Sequence, residues 1–297
     1  MKKKRSRAKP SRPTVVLDSF THHELNEWLN RGDEVQSISD RVYFDLERQR
    51  AAKYDDLCSS LRGYPGTSID VSGWTRVVDW RWSLSPLSGA GNLKGIGGRF
   101  NIGEDLDRAR GQAFRALYIA QDIETAYSER FGGALSSKGR LSLGEFALRT
   151  ESSFTTFLLS GQVEQVLDLR TAKAIEAFTS IIKEFDLAPA TKAANRRARV
   201  QSRFAITTAA ALRKMLLQPP SSWRLEPQAF GIPATCQIFG RFARDAGFEG
   251  ILFPSQAGPG HNLALYPDNF QGSTSKIAVI GEVPDGATHT ILDANHF

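Results

Sequence analysis

GWTRVVDWRW (73–82), running on into SGAGNLKGIGGRFNIGED (88–105), is the stretch that decides how this chain is read. The first part is β-branched and aromatic, the composition of a strand. The second is a glycine-rich loop that ends on Arg99. Gly95, Gly97 and Gly98 would let the backbone come close to a ligand, and Arg99 would present a planar fork suited to phosphate oxygens. A long turn carrying a solvated arginine is the plainer alternative. The spacing is not a Rossmann fingerprint, since the third glycine is missing and no helix opens there. GxxxxGK[ST] is absent from the chain, which excludes a P-loop nucleotide site.

Downstream, FRALYIA (114–120) reads as a strand and DIETAYSERFG (122–132) as a helix, capped by Asp122 and stopped by Gly132. This order brings Tyr118 on the strand and Glu129 on the helix toward one cleft. A tyrosine face stacks on planar rings, and a carboxylate steers a cationic centre. The competing roles are a core aromatic and a surface acid paired with Arg130 or Lys138.

LSLGEFALR (141–149), SSFTTFLL (152–159) and QVLDL (165–169) supply three further strands. From Thr171 the period becomes helical, through AKAIEAFTSIIKEF and AANRRARVQSRFAITTAAALRKMLLQ, closed by Pro219-Pro220. A helix over TCQIFGRFARDAGF (235–248) follows, then strands at EGILFPS, NLALYP and KIAVIGEVP. Without a regular βαβ alternation the class is α+β. On the N-terminal side, Thr21 and Glu24 form a capping-box pattern before one helix, and a second helix spans about 39–61. The division expected is a disordered basic tail (1–13), a helical N-terminal extension (14–70) and a main domain (71–297) with a helical insertion at about 171–232.

Hydrophobic residues at 41% and charged residues at 24% of 297 place the chain among globular proteins with a substantial core. The formal charge of +6 is a property of the tail. MKKKRSRAKPSRP holds seven cations and no acid, so 6 − 7 leaves about −1 for the remainder. A basic nucleic-acid-binding body is thereby disfavoured, although the tail itself can contact nucleic acid without specificity. Asn195-Arg196-Arg197-Ala198-Arg199 reads as a solvated helix face. Cys58 and Cys236, far apart, suggest neither a disulfide framework nor zinc, and the histidines lack ligand spacing, so no metal is expected. A reducing, cytoplasmic setting is the natural expectation, with neither a membrane span nor a secretory signal.

Ser255 sits where an apolar run breaks at Pro254, and Asn262 opens the next strand. His261 is close enough in sequence to act as a base for Ser255, but there is no GxSxG setting, and triad hydrolysis is disfavoured.

Taken in order, Thr75-Arg76-Val77-Val78, Gly97-Gly98-Arg99-Phe100-Asn101, Ala116-Leu117-Tyr118, Ala126-Tyr127-Ser128-Glu129, Val166-Leu167-Asp168-Leu169 and Gly247–Ser255 with Asn262-Leu263 resemble the RES domain family, over roughly residues 73–270. The resemblance implies a fold similar to that of the diphtheria-type ADP-ribosyltransferases. It also implies the activity of a toxin that cleaves the nicotinamide–ribose bond of NAD, by hydrolysis or phosphorolysis, or else transfers ADP-ribose to a protein acceptor. NAD would be the substrate, with no prosthetic group. The implied partner is a helix-turn-helix antitoxin; a homodimer is neither required nor excluded. Residue by residue, Arg99 would hold the phosphates with Arg76, Tyr118 would stack near the nicotinamide, Glu129 would be the catalytic acid, and Ser255 and Asn262 would help bind NAD, Ser255 at the ribose. Phe100 departs from the family's more frequent Trp, and Gly103–Gly111 looks like added length between Arg99 and Tyr118.

The tail contains none of these groups. Deleting residues 1–13 should therefore leave nicotinamide release from NAD unchanged while weakening low-salt retention on nucleic acid. Activity and column retention of the truncated protein check both halves; a large loss of turnover would place the tail at the site.

Overall fold

The computed structural model describes the backbone of residues 22–131, 153–198 and 206–296, and the side chains of these segments from residue 30 onward. The basic tail, the Thr21 cap, the strand expected at 141–149 and Arg199 lie outside the described residues.

The chain opens with helices α1 (His22–Ala52) and α2 (Tyr54–Arg62), then strands β1 (Thr67–Asp70), β2 (Thr75–Asp79) and β3 (Leu117–Ala120). Helix α3 (Ile123–Phe131) and strand β4 (Phe154–Asp168) come next. Short helices at Glu176–Ile182, Pro189–Arg197, Ala209–Leu216, Pro220–Trp223 and Leu225–Phe230 precede a longer one at Thr235–Asp245. Strands β5 (Gly250–Pro254), β6 (His261–Leu265), β7 (Lys276–Ile280) and β8 (Ile291–Leu292) finish the fold. It is the mixed α and β class read from the sequence.

Strand β4 is the spine. Its first half pairs with β2, from Asp79 opposite Phe154 to Thr75 opposite Leu158. Its middle pairs with β7 and β1, and its end runs parallel to β5, Val166 opposite Gly250. Strand β5 pairs with β6, β6 with β3, and β3 returns to β2 through Thr75 and Ala120. The circuit β2–β3–β6–β5–β4 thus closes on itself, leaving none of these five strands with two unpaired edges.

Within β4, Gly161 lies close against β7. Its φ is +140°, and a Cβ there would stand 1.9 Å from the Lys276 carbonyl oxygen on β7. SSFTTFLL and QVLDL, expected as two strands, are one 15-residue strand, and its ladder with β7 runs unbroken through Gly161.

Alternation along the strands buries both faces. Leu252, Leu263 and Leu265 join Val78, Leu117, Ile119, Phe157 and Leu159 in a cluster built mostly of strand side chains. Ile251, Phe253 and Ala264 point to the other side, into a larger cluster with Phe239 and Phe242 of Thr235–Asp245 and Leu57 and Leu61 of α2. The N-terminal segment is thus stitched into the core, and two sequence expectations change. The two helices expected before Gly63 merge across residues 39–52 into one 31-residue helix followed by α2. Thr67–Asp70, counted within a helical extension, is a strand paired with β4. Pro219-Pro220 follows the helix end at Leu216, as expected, and also opens the next helix, because proline fits a first turn.

Gly161→Ala should lose about 2–3 kcal/mol of stability, since both the left-handed backbone and the β7 carbonyl oppose a methyl group. Urea denaturation of the variant checks this; an unchanged midpoint would show that β4 and β7 can accommodate a side chain at Gly161.

Candidate functional site

At the end of β2, β3 and β6 lies a cavity of about 370 Å³, lined among others by Arg76, Arg99, Tyr118, Glu129, Trp223 and Asn262. Five of the six candidate site residues meet there. Ser255 stands just behind: its hydroxyl donates to Glu129 Oε1 at 2.6 Å, and it is not among the residues lining the cavity.

Glu129 lies near the end of α3. That helix starts where Asp122 Oδ1 accepts the Thr125 N–H at 2.7 Å, the cap expected from the sequence. Three donors converge on Glu129 Oε1: Ser255 Oγ at 2.6 Å, Asn262 Nδ2 at 2.7 Å and the Gln256 N–H at 3.2 Å. Among the described residues none donates to Oε2. The carboxylate is anchored through one oxygen and free at the other. Neighbouring Arg130 pairs with Asp79, not with Glu129. Ser255 also accepts the N–H groups of Ala257 and Gly258, and His261 Nδ1 meets Gln121 Oε1, so the serine hydroxyl faces the Glu129 carboxylate and not a histidine. The reading against triad hydrolysis agrees with this geometry.

The glycine-rich loop is neither loose nor solvated. Gly97 has φ +86°, and a Cβ at Gly98 would meet the Tyr118 ring at 2.6–2.7 Å, so the loop lies directly on that ring. Tyr118 fixes it further: the hydroxyl accepts the Phe100 N–H at 2.8 Å and donates to Asn101 Oδ1 at 3.0 Å. Burial raises the Tyr118 pKa well above the usual phenol value, keeping it neutral. Asn101, fully buried, also accepts the Gly98 N–H and donates to the carbonyls of Asn92 and Phe114. From the opposite side Gln237 Nε2 reaches the carbonyls of Ile96, Gly98 and Asn101 at 2.8–3.1 Å. Gln237 was not singled out in the sequence; a lone glutamine among the apolar residues of an amphipathic helix was the available signal.

Both arginines are buried, 8% and 7% exposed, with no carboxylate partner among the described residues. Arg76 donates to the carbonyls of Pro86, Tyr118 and Ser88. Burial pulls its pKa down to about 10, which leaves it charged at neutral pH. Arg99 Nη1 donates to the carbonyls of Leu216 and Gln218, and the guanidinium lies 5.9 Å from the ring centroids of Trp223 and Phe253. Burial lowers its pKa as well, and Glu129 acts in the opposite direction. Two desolvated cations whose own partners are neutral make a cavity that attracts anions. Glu249, a fully buried carboxylate, accepts from the backbone of Glu164 and Gln165 and from Ser275 Oγ, and does not line the cavity.

Among the described residues no group of three or more His, Cys, Asp or Glu is placed to hold a metal, and no helix is long and apolar enough to cross a membrane. Cys58 and Cys236 are both free and buried, and burial pushes the Cys236 thiol up to about 12.

The closed strand circuit thus brings a pinned carboxylate, an aromatic ring and buried guanidinium groups together around one cavity. The model of the RES domain matches residues 74–285, and the chain belongs to the RES domain family. No curated protein matches the chain. Among solved structures it is similar to a chain in the crystal structure of the M. tuberculosis MbcT–MbcA toxin–antitoxin complex, at 16% identity and a TM-score of 0.40, covering 76% of this chain and 92% of that one.

Asn101→Leu keeps the volume but strands the Gly98 N–H, the Tyr118 hydroxyl and two carbonyls. A loss of about 3 kcal/mol is expected, as buried polar groups left unpaired cost about 1–3 kcal/mol each. Chemical denaturation measures it; a loss below about 1 kcal/mol would mean the loop is held without Asn101.

Proposed function

We propose that this protein is the NAD-consuming toxin of a toxin–antitoxin pair, cleaving the bond between nicotinamide and ribose by hydrolysis or phosphorolysis. Membership of the RES family supports the reading. The observation that carries it is the division of Glu129 into one oxygen held by three donors and one left free, in a cavity shared with two unneutralised arginines.

The chemistry asks for little more. When the C1′–N1 bond of NAD breaks, its electron pair passes to the pyridinium nitrogen and neutral nicotinamide leaves without a proton from the protein. Positive charge develops on the ribose, as in glycoside cleavage, and water or phosphate then adds at C1′. A carboxylate oxygen fixed beside that charge, or hydrogen-bonded to the 2′-hydroxyl, is stronger in the transition state than in the bound substrate. Glu129 Oε2 serves this role. Ser255 and Asn262 hold the carboxylate in position through Oε1, which makes Ser255 a positioning residue rather than a ribose contact. Arg99 and Arg76 draw the diphosphate, and Tyr118 carries the loop and offers ring surface for the nicotinamide. A core like that of the diphtheria-type transferases and a helix-turn-helix antitoxin as partner belong to the same reading.

Transfer of ADP-ribose to a protein is the second reading. Trp80 (58% exposed) and Leu84 flank Arg81 and Trp82 of the cavity wall and give an acceptor an apolar surface at the rim.

Purified protein should release nicotinamide from NAD, and Glu129→Gln should slow this by about 10²–10³-fold with the fold intact, since Gln still accepts at Oε1 but carries no charge. Circular dichroism controls for folding. Release at the parent rate would remove Glu129 from the chemistry, and ADP-ribose appearing on protein instead of in solution would select the second reading.

A further inference from the structure

The helical insertion does more than cover the core. Its Ala209–Leu216 helix ends in the carbonyls that receive Arg99, and the next turn, Pro220–Trp223, brings Trp223 into the cavity wall. Arg224 follows immediately and lines the same cavity. Its guanidinium lies 5.2 Å from the Trp223 ring centroid, and that of Arg99 lies 5.9 Å from the same ring. No hydrogen bond or ion pair engages the Arg224 side chain among the described residues, and it is exposed.

Two cations on one indole with no acid between them repel each other; after burial itself, Arg224 is among the charges that make Arg99 harder to protonate. Such a pair stays together for a reason outside the pair. The indole stabilises each cation, but only an anion with separated charges relieves the repulsion. A diphosphate has that form: two phosphoryl groups, each able to face one guanidinium.

We propose that Arg224, contributed by the insertion, is a second anchor for the diphosphate of the bound dinucleotide, acting with Arg99 and using Trp223 as their common shelf. The inference rests on the dinucleotide reading above and extends it to a residue outside the motifs that carry the family resemblance. It gives the insertion a role in selecting substrates with two linked phosphates over those with one.

The test is calorimetric titration of the full chain with inorganic pyrophosphate and, separately, with orthophosphate, for the parent, Arg224→Gln and Arg224→Lys. Arg224→Gln should weaken pyrophosphate binding about tenfold, and Arg224→Lys should recover most of that because a point charge persists. Orthophosphate, which Arg99 can hold alone, should change less than about twofold. With NAD, Arg224→Gln should raise KM with kcat nearly kept, the signature of lost uniform binding. Equal pyrophosphate affinity in parent and Arg224→Gln overturns the anchor. So does an equal loss for both anions, which would be a diffuse charge effect, or a parent that does not bind pyrophosphate. If the pyrophosphate series behaves as expected but NAD is not cleaved, the anchor stands and the catalytic reading falls.

Discussion

Arg76 and Arg99 are buried beside a carboxylate that neither of them neutralises, and much of the site is arranged to make that tolerable. Removing a guanidinium from water costs several kcal/mol unless its N–H groups find partners. Here the partners are backbone carbonyls: Pro86, Ser88 and Tyr118 for Arg76, Leu216 and Gln218 for Arg99. Carbonyls satisfy hydrogen bonds without cancelling charge. An aspartate in either place would have cancelled it. The local backbone is shaped accordingly, since loop, strand and insertion must each turn an oxygen inward.

That requirement explains why the glycine-rich loop is rigid. Gly98 rests on the Tyr118 ring, Asn101 ties the loop to itself, and Gln237 holds it from the helix behind. Glycine appears at Gly97 and Gly98 because the backbone passes within contact of other backbone and of an aromatic ring, not because the segment needs to move. The same residues that look like a flexible turn in the sequence are held by hydrogen bonds from Asn101, Tyr118 and Gln237.

Residue types and their order showed the α+β class, the strand–loop–strand–helix passage from Thr75 to Glu129, and the grouping of Arg76, Arg99, Tyr118, Glu129 and Asn262. Short, strongly patterned elements announce themselves, and four of these residues sit near the end of one, while Arg99 closes the glycine-rich loop between two of them. Three things stayed hidden. The continuity of β4 through Gly161 depends on pairing with β7 more than a hundred residues away in sequence, which no local window contains. Thr67–Asp70 is too short and too polar to read as a strand without β4 beside it. The functions of Gln237 and Arg224 depend on which carbonyl and which ring they meet, facts of packing that their neighbours in sequence do not encode.

Ser255 shows the same limit at the level of a single hydroxyl. Its place at a strand end suggested contact with ligand, and the structure turns it to Glu129 instead. The consequence reaches the chemistry. A glutamate at the end of a nine-residue helix has three side-chain torsions, and left alone it would spread over several rotamers. Ser255, Asn262 and the Gln256 N–H hold one oxygen and thereby fix the direction of the other. All three contacts are donated hydrogen bonds, the only kind a carboxylate oxygen can take. Orientation is thus secured through Oε1, and among the described residues Oε2 has no hydrogen bond to surrender, which is what the role proposed for this carboxylate asks of it.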